Sequence, residues 1–439
     1  MTSRLAAAFF SCLFALLLAA CSHSGGGGGG TQIRVVNVVP DAAAISVTVG
    51  DTALVTNLAF QGLTQYASVS SGSQEFKVSA NGGQSNAIDT TLNLNSSANY
   101  TYVVFNPVTI TTALLIVDSG IAQAASGTFS FRVINCASGI GAVDVYLTPP
   151  GTDINSTSPT ATNVVLGSVG PILTPNAGTL ELRITSAGTK DVIYDTPAQN
   201  FVSQSQYEIV VYTVGSARLV NVAFLNIDDT GTGQVENNLL AEYKVVNASQ
   251  VGSPLNVLVD GNLQLSNIPY AGVSNYVVAN AGSRSFAVQA QNTPGSNLLT
   301  LVDTLNPATD TSIVLNGTAG ALVGTVLNDN NLPPAAGRAR IRFVNSSPDL
   351  GPADVYVNFS KQVSNLATNT PSSYIEVTAD ATVGTSYEFD FNIAGTTTPV
   401  LKLPNTTIIA AHTYSIYVIG LAASVPVPPG LQGVVVKDD

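Results

Sequence analysis

The sequence predicts an all-β chain of four tandem antiparallel β-sandwich domains, and three observations lead there. Only 10% of the 439 residues are charged while 45% are hydrophobic, and Val, Thr and Tyr recur where Glu, Lys, Met and Arg are scarce. Branched and aromatic side chains pack well on a pleated surface, and the scarce residues are those that long amphipathic helices draw on. Apolar and polar residues alternate with period two through many short segments. A set of landmark residues then recurs four times at near-constant spacing.

The chain opens with an export signal rather than with structure. Arg4 supplies a positive start, Leu5 to Leu18 an apolar stretch, and Leu18-Ala19-Ala20-Cys21 closes it. That ending resembles the lipobox of bacterial lipoproteins, in which small residues precede a cysteine whose thiol receives a diacylglycerol and becomes the first residue after cleavage. The resemblance implies lipidation at Cys21 and attachment to a membrane through the lipid. The apolar stretch is shorter than the roughly 20 residues a spanning helix needs. Ser22, His23 and Ser24 lead into six glycines, Gly25 to Gly30, a run with no fixed conformation that acts as a tether. No Gly-Lys-Ser/Thr follows it, so it is not a phosphate loop. Ser22 after the anchored cysteine resembles residues that permit sorting to the outer membrane of a Gram-negative cell.

Four opening strands end in Asn: Ile33 to Asn37, Phe131 to Asn135, Tyr243 to Asn247 and Ile341 to Asn345. The Asn-to-Asn steps are 98, 112 and 98 residues. A second Asn follows 20, 28, 20 and 20 residues later, at Asn57, Asn163, Asn267 and Asn365. Nine residues further stand Tyr66, Ile172, Tyr276 and Tyr374. A later strand begins near Tyr100, Tyr207, Thr311 and Tyr414, and each unit closes on an acid: Asp118, Asp228, Asp329 and Asp438. The eight extra residues of the second unit fall in the loop chemistry of Thr148-Pro149-Pro150-Gly151 and the Ser/Thr-rich stretch after it.

Within a unit the alternation predicts strands wet on one face. Ile45, Val47 and Val49 share a side, as do Ala353, Val355 and Val357; Phe76 and Val78; Leu180, Leu182 and Ile184; and Phe389 and Phe391. About seven such strands per roughly 100 residues suggest a two-sheet sandwich. The expected organisation is a signal over 1–20, a lipidated cysteine and tether over 21–30, and repeats over 31–126, 127–236, 237–335 and 336–439. The architecture is immunoglobulin-like in outline only, since there is no Trp and Cys136 stands alone once Cys12 and Cys21 are set aside. Cys136, after Asn135, reads as a small buried hydrophobe.

The opening segments resemble a bacterial family known as domain of unknown function 4397, whose units begin with an Arg-Val-x-Asn strand, a Ser-Pro-Asp-Ala-like turn and a Val-Asp-Val-Tyr-Val strand. The fourth unit matches through Arg342, Val344 and Asn345, then Ser347-Pro348-Asp349, then Ala353 to Val357. The first keeps Arg34, Asn37 and Pro40-Asp41-Ala42; the second keeps Val143 to Tyr146 without the Pro-Asp turn; the third keeps Asn247 and Val257 to Gly261. The resemblance covers about residues 31 to 439 and implies a fold, not a chemistry.

Catalysis finds little support in these residues. Beyond the signal, the histidines are His23, in the tether, and His412, which reads as a turn or edge residue rather than a base. Zinc meets the same shortage of His and Cys. Glu388 and Asp390 share one strand face opposite Phe389 and Phe391 and read as a solvated pair rather than glycosidase acids; Asp228-Asp229 and Asp438-Asp439 read as loop ends. The closing acids, with Asp41 and Asp349 in turns, raise calcium at the repeat junctions as a further idea. No repeated Asp-x-Asp spacing supports it, so no cofactor or metal is assigned. A net charge of −12 with 15 scattered basic residues excludes nucleic acid as a partner.

The function expected is therefore a non-enzymatic binding, adhesion or spacer module of the cell envelope, with a glycan or protein as its ligand. Tyr146 and Tyr356, on the polar side of matching strands, are candidate contacts or cross-strand packing pairs. The alternative is a carbohydrate-active or other envelope enzyme with its site between repeats. Oligomeric state is not encoded in any of these features.

Overall fold

A computed structural model describes residues 30–83, 86–227, 231–422 and 430–439. The signal, Cys21, His23, nearly all of the glycine tether, and Asp228 and Asp229 lie outside the described residues. The described chain carries four sandwiches and, apart from two short 3-10 turns, all its regular structure is strand.

The first unit sets the pattern. Its strands are β1 (Thr31–Val38), β2 (Ala44–Val49), β3 (Thr52–Ala59), β4 (Ala67–Val69), β5 (Gly72–Ala80), β6 (Asn86–Leu94), β7 (Asn99–Phe105) and β8 (Thr112–Val117). One sheet runs β4-β1-β7-β8 and the other β3-β2-β5-β6. Every ladder is antiparallel except that between β1 and β7, which runs parallel from Gln32 opposite Asn99 to Val38 opposite Phe105. The third and fourth units repeat both sheet orders, with the parallel ladder between Leu240–Ser249 and Asp310–Thr318 and between Arg338–Asn345 and Thr413–Ile419. The second unit adds a strand to each sheet, and its long loop turns through Ile154–Ser156 under an Asp153 cap. Ile45, Val47, Val49, Phe76 and Val78 meet Ile33 and Val35 between the sheets, so the expected apolar faces point inward. Their counterparts in the fourth unit are Ala353, Val355, Val357, Phe389 and Phe391.

The two Asn landmarks are backbone devices. Asn37, Asn135, Asn247 and Asn345 are buried, and each Oδ1 accepts from the backbone N–H two residues on, at 3.0, 3.0, 3.1 and 3.3 Å. Each Nδ2 donates to the carbonyl of Leu58, Val164, Ile268 or Leu366, the residue directly after the second Asn. That second Asn sits in the left-handed region, with φ of 52°, 50°, 58° and 57°, a conformation Asn tolerates better than most side chains. One asparagine turns the chain out of the opening strand, and it also fastens the hairpin whose bulge the other makes.

One expectation about the strands fails. Opening strands and their parallel neighbours are not wet on one side; β7 is almost entirely buried, and so are Ser130–Cys136 and Thr413–Ile419. The reason is that the units pack in pairs, sheet on sheet. Val36, Val38, Val103, Phe105 and Ile116 of the first unit meet Ile134, Cys136, Val210, Tyr212, Ala223 and Leu225 of the second. Val246, Ala248, Val314 and Leu327 of the third meet Val344, Tyr417 and Ile419 of the fourth. Each pair is thus a four-layer block.

Candidate functional site

The polar residues that survive inside these paired faces form the most developed chemical constellation in the molecule. Every opening strand carries a buried cation directly after a core residue: Arg34 after Ile33, Arg132 after Phe131, Lys244 after Tyr243 and Arg342 after Ile341. A charge there needs a partner, because an unpaired buried ion is expensive.

Between the first and second units Arg34 donates through Nη2 to Glu208 at 2.9 Å and through Nη1 to the Asn226 carbonyl at 2.7 Å. Its Nε donates to the Thr101 hydroxyl at 2.7 Å, which donates to Asp118 at 2.6 Å. Arg132 answers from the other side, donating to Glu208, to Asp118 at 2.8 Å and to the Val117 carbonyl at 2.9 Å. Tyr66 covers the site: its ring lies 5.0 Å from the Arg34 guanidinium and its hydroxyl donates to Asp118 at 2.6 Å. Two cations face two carboxylates.

The third and fourth units repeat the arrangement. Arg342 donates to Asp329, to Ser415 at 2.7 Å and to the Asn328 carbonyl at 3.1 Å. Lys244 donates to Asp438, and the hydroxyls of Ser312 and Ser415 donate to Asp329 at 2.7 Å and Asp438 at 2.5 Å. Tyr276 lies over Lys244 at 4.5 Å and Tyr374 over Arg342 at 5.3 Å. The tyrosine landmarks are therefore lids on buried cations.

The second unit departs from the pattern in a coordinated way. Strand register places Tyr100 opposite Val117, Thr311 opposite Asn328 and Tyr414 opposite Lys437, so the acids Asp118, Asp329 and Asp438 come one residue later. Tyr207 stands opposite Asn226, which makes the true counterpart Ile227 rather than Asp228. The lost carboxylate reappears as Glu208, where the other units have Thr101, Ser312 and Ser415. The tyrosine whose hydroxyl would have met the acid is Ile172, which is exposed.

Burial, with Glu208 nearby, pushes the Asp118 carboxyl up to about 7 against the pull of Arg34. Asp438 is likewise raised by burial, and the Lys244 ammonium, disfavoured by burial, is carried above its ordinary range by Asp438 and Asp329. Each of these groups is buried and engaged with partners across the face between two units.

The remaining sequence candidates scatter. Tyr146, expected on a wet face, is buried, with Lys190 4.7 Å from its ring and donating to its hydroxyl at 3.0 Å; Tyr356 is half-buried with Lys361 5.5 Å from its ring. Lys402 spans Glu388 at 3.0 Å and Asp390 at 3.5 Å, and Asp390 is more enclosed than a solvated face requires. Cys136 lies within the first pair's apolar seam, where burial pushes its thiol up. His412 is a turn residue whose Nδ1 lies 3.0 Å from Asp439. Asp41 accepts from the Val108 N–H at 2.8 Å and Asp349 from the Ala422 N–H at 2.7 Å, so both fasten turns. Among the described residues no group of three His, Cys, Asp or Glu side chains converges as a metal site. Of the junction acids Asp118, Asp228 and Asp329 behind the calcium idea, Asp118 and Asp329 are taken by internal cations, and Asp228 lies outside the described residues. The signal missed in the sequence was the cation that recurs at one position of each opening strand.

Comparison with known proteins adds kinship and no chemistry. No curated protein matches the chain. Among solved structures it is similar to CBMbc, a family CBM26 module of Eubacterium rectale Amy13K crystallised with maltoheptaose, at 11% identity over 47% of this chain and 95% of that one, with a TM-score of 0.15. It is also similar to the Bacillus anthracis TIE protein, at 9% identity over 86% of this chain and 69% of that one, again with a TM-score of 0.15. Neither likeness is close enough to support an argument. The family match is of another order, covering residues 31–146, 241–352 and 339–439, and by it the chain belongs to the family described as Domain of unknown function (DUF4397).

Proposed function

We propose that the chain is a non-enzymatic, lipid-anchored module of the cell envelope, held at the outer membrane of a Gram-negative cell through Cys21. Its two sandwich blocks display loops and polar sheet faces to an envelope glycan or protein, or space other components from the membrane. The observation that carries this reading is the use made of the acids between repeats. Asp118 and Glu208, and likewise Asp329 and Asp438, are bound up with Arg34, Arg132, Lys244 and Arg342. An enzyme with its site between repeats would need such carboxylates open to substrate. Here they join one unit to the next.

The test is expression of the full chain in a Gram-negative host fed an alkyne-bearing fatty acid, with Cys21→Ala alongside. Label and outer-membrane fractionation are expected for the natural chain and are lost in the variant. A soluble, unlabelled natural chain removes the anchor. Screening the membrane-displayed protein against envelope glycans and proteins addresses the ligand, and turnover of any glycan in that screen removes the non-enzymatic assignment.

A further inference from the structure

One buried carboxylate in the second block has no matching cation. Asp310 is 1% exposed and begins the strand parallel to the third unit's opening strand. Glu242, opposite it in that ladder, is held by Arg218 at 2.8 Å; Asp329 is held by Arg342, and Asp438 by Lys244. Among the described residues no Lys, Arg or His pairs with Asp310; its Oδ2 accepts from the Asn331 amide at 2.7 Å and the Ala217 N–H at 3.2 Å, and the Ser216 hydroxyl also bonds to the carboxylate. Its other oxygen, Oδ1, is buried without a hydrogen-bond partner, and so is Oδ1 of Asn331, a residue 2% exposed. Two unpartnered oxygens thus stand on adjoining buried side chains, with no side-chain cation paired to the carboxylate.

A route leads to it. A cavity of about 310 Å³ elsewhere, in the third unit, is walled by an Asp260–Arg284 ion pair and already balanced. A second cavity of about 250 Å³ opens where the second, third and fourth units meet, lined by Ala217, Asn331, Pro333, His412, Lys437 and Asp439. Ala217 and Asn331 both donate to Asp310, so the cavity reaches two of the carboxylate's own partners. The groups facing Asp310 are Glu242 and Asp329 from the neighbouring strands, Tyr276 through Asn331, and Arg218 from the turn; burial and the two acids push its carboxyl up to about 8.

We infer that Asp310 and Asn331 bind a single monovalent metal cation of the sodium class at the junction of the second, third and fourth units. One unmatched charge calls for one positive charge, and hard cations take oxygen donors of this carboxylate and amide type. With a single carboxylate ligand, neutral oxygens make up the rest of the shell, which suits a monovalent ion better than calcium. Both ligands belong to the third unit, and the site lies where the two blocks adjoin, against Ala217 of the second unit. Its binding competes with a proton on Asp310, so it strengthens as pH rises.

The experiment is thermal unfolding of the purified full chain in sodium chloride against tetramethylammonium chloride at equal ionic strength, at pH 6 and pH 9, with Asp310→Asn alongside. Sodium is expected to raise the midpoint of the natural chain by roughly 3 °C or more at pH 9 and by less at pH 6, and to leave Asp310→Asn unmoved. The variant keeps the carboxylate's shape and removes its charge, and its own cooperative transition in tetramethylammonium chloride shows that it folds. An equal response in both proteins marks general salt screening and overturns the inference. A natural chain indifferent to sodium at pH 9 shows that Asp310 is neutralised by a proton alone and overturns it as well. A response to millimolar calcium without one to sodium overturns the monovalent assignment.

Discussion

Glu208 and Arg34 meet at 2.9 Å across the first inter-repeat face although 174 residues separate them in the chain, and both side chains are sealed from solvent. The pair exists because the second unit moved its carboxylate from the position of Ile227 onto the neighbouring strand. The charge balance of the face is kept even though the repeat pattern is not.

Replacing Glu208 by Thr, the residue type its counterpart Thr101 has, leaves Arg34 and Arg132 with Asp118 alone. Losing one partner of a buried pair costs about 3–5 kcal/mol. The variant is expected to lower the denaturant midpoint of the first block by that order. Adding Ile227→Asp, which rebuilds the arrangement of the other units, recovers part of the loss. Urea unfolding of the three proteins measures both steps, and a double variant no better than the single one shows that the positions are not equivalent.

Much of the fold was legible because its landmarks are local. Asn37 and Asn57 mark a turn and a bulge that belong to backbone geometry, and the alternation in Ile45, Val47 and Val49 follows from the pleat. The pairing of units was not legible, because it buries a face against a neighbour that sequence spacing does not name. Arg34, Arg132, Lys244 and Arg342 each interrupt an apolar strand at the same place, which is the mark of a second covered face. Spacing points to Asp228 as the closing acid because it cannot reveal register; the ladder of Tyr207 with Asn226 does, and gives Ile227. Asp310 escaped attention for a related reason: its isolation depends on what Arg218, Lys244 and Arg342 do elsewhere.

The Asx turn gives a second expectation. Asn345→Ala removes the hydrogen bonds to the Ser347 N–H and to the Leu366 and Gly351 carbonyls from a buried position. Unsatisfied buried groups cost about 1–3 kcal/mol each, so the fourth unit is expected to lose a few kcal/mol. Asn365→Gly keeps the left-handed φ of 57° and is expected to be near neutral, while Asn365→Val strains it. Thermal midpoints of the three variants report the order.

Stability is expected to fall as pH rises through the neutral range. Asp118 and Asp310 titrate in the folded chain at about 7 and about 8, and Asp195, Asp390 and Asp438 are raised too, chiefly by burial. An unfolded Asp titrates near 3.9. Between these limits the native state holds more protons, so the contribution is present in full below about pH 4 and lost as pH climbs through the folded values. Asp354 works in the opposite sense, held down to about 2 by Lys361 and the Asn365 N–H, and its contribution fails only in strong acid. In sodium-free buffer the midpoint at pH 5 is expected to exceed that at pH 8.5, and Asp118→Asn to flatten the difference. A profile rising from pH 5 to 8.5 contradicts the burial of these acids.

Cys136 supplies the last expectation, since it lies in the seam between Val103, Phe105 and Tyr212 and not in either sandwich core. Its thiol is 1% exposed and pushed up by burial, so neither access nor thiolate is available in the paired state. Reagent reaches it only when the first two units separate, which makes its modification rate a measure of that opening. In the native protein a maleimide is expected to react orders of magnitude more slowly than with the unfolded chain. Glu208→Thr is expected to speed the reaction at denaturant concentrations well below global unfolding, because the seam loosens before either core does. If Cys136 reacts no faster in that variant until the cores melt, the block opens only as a whole, and the buried charges govern its stability without controlling a separable interface.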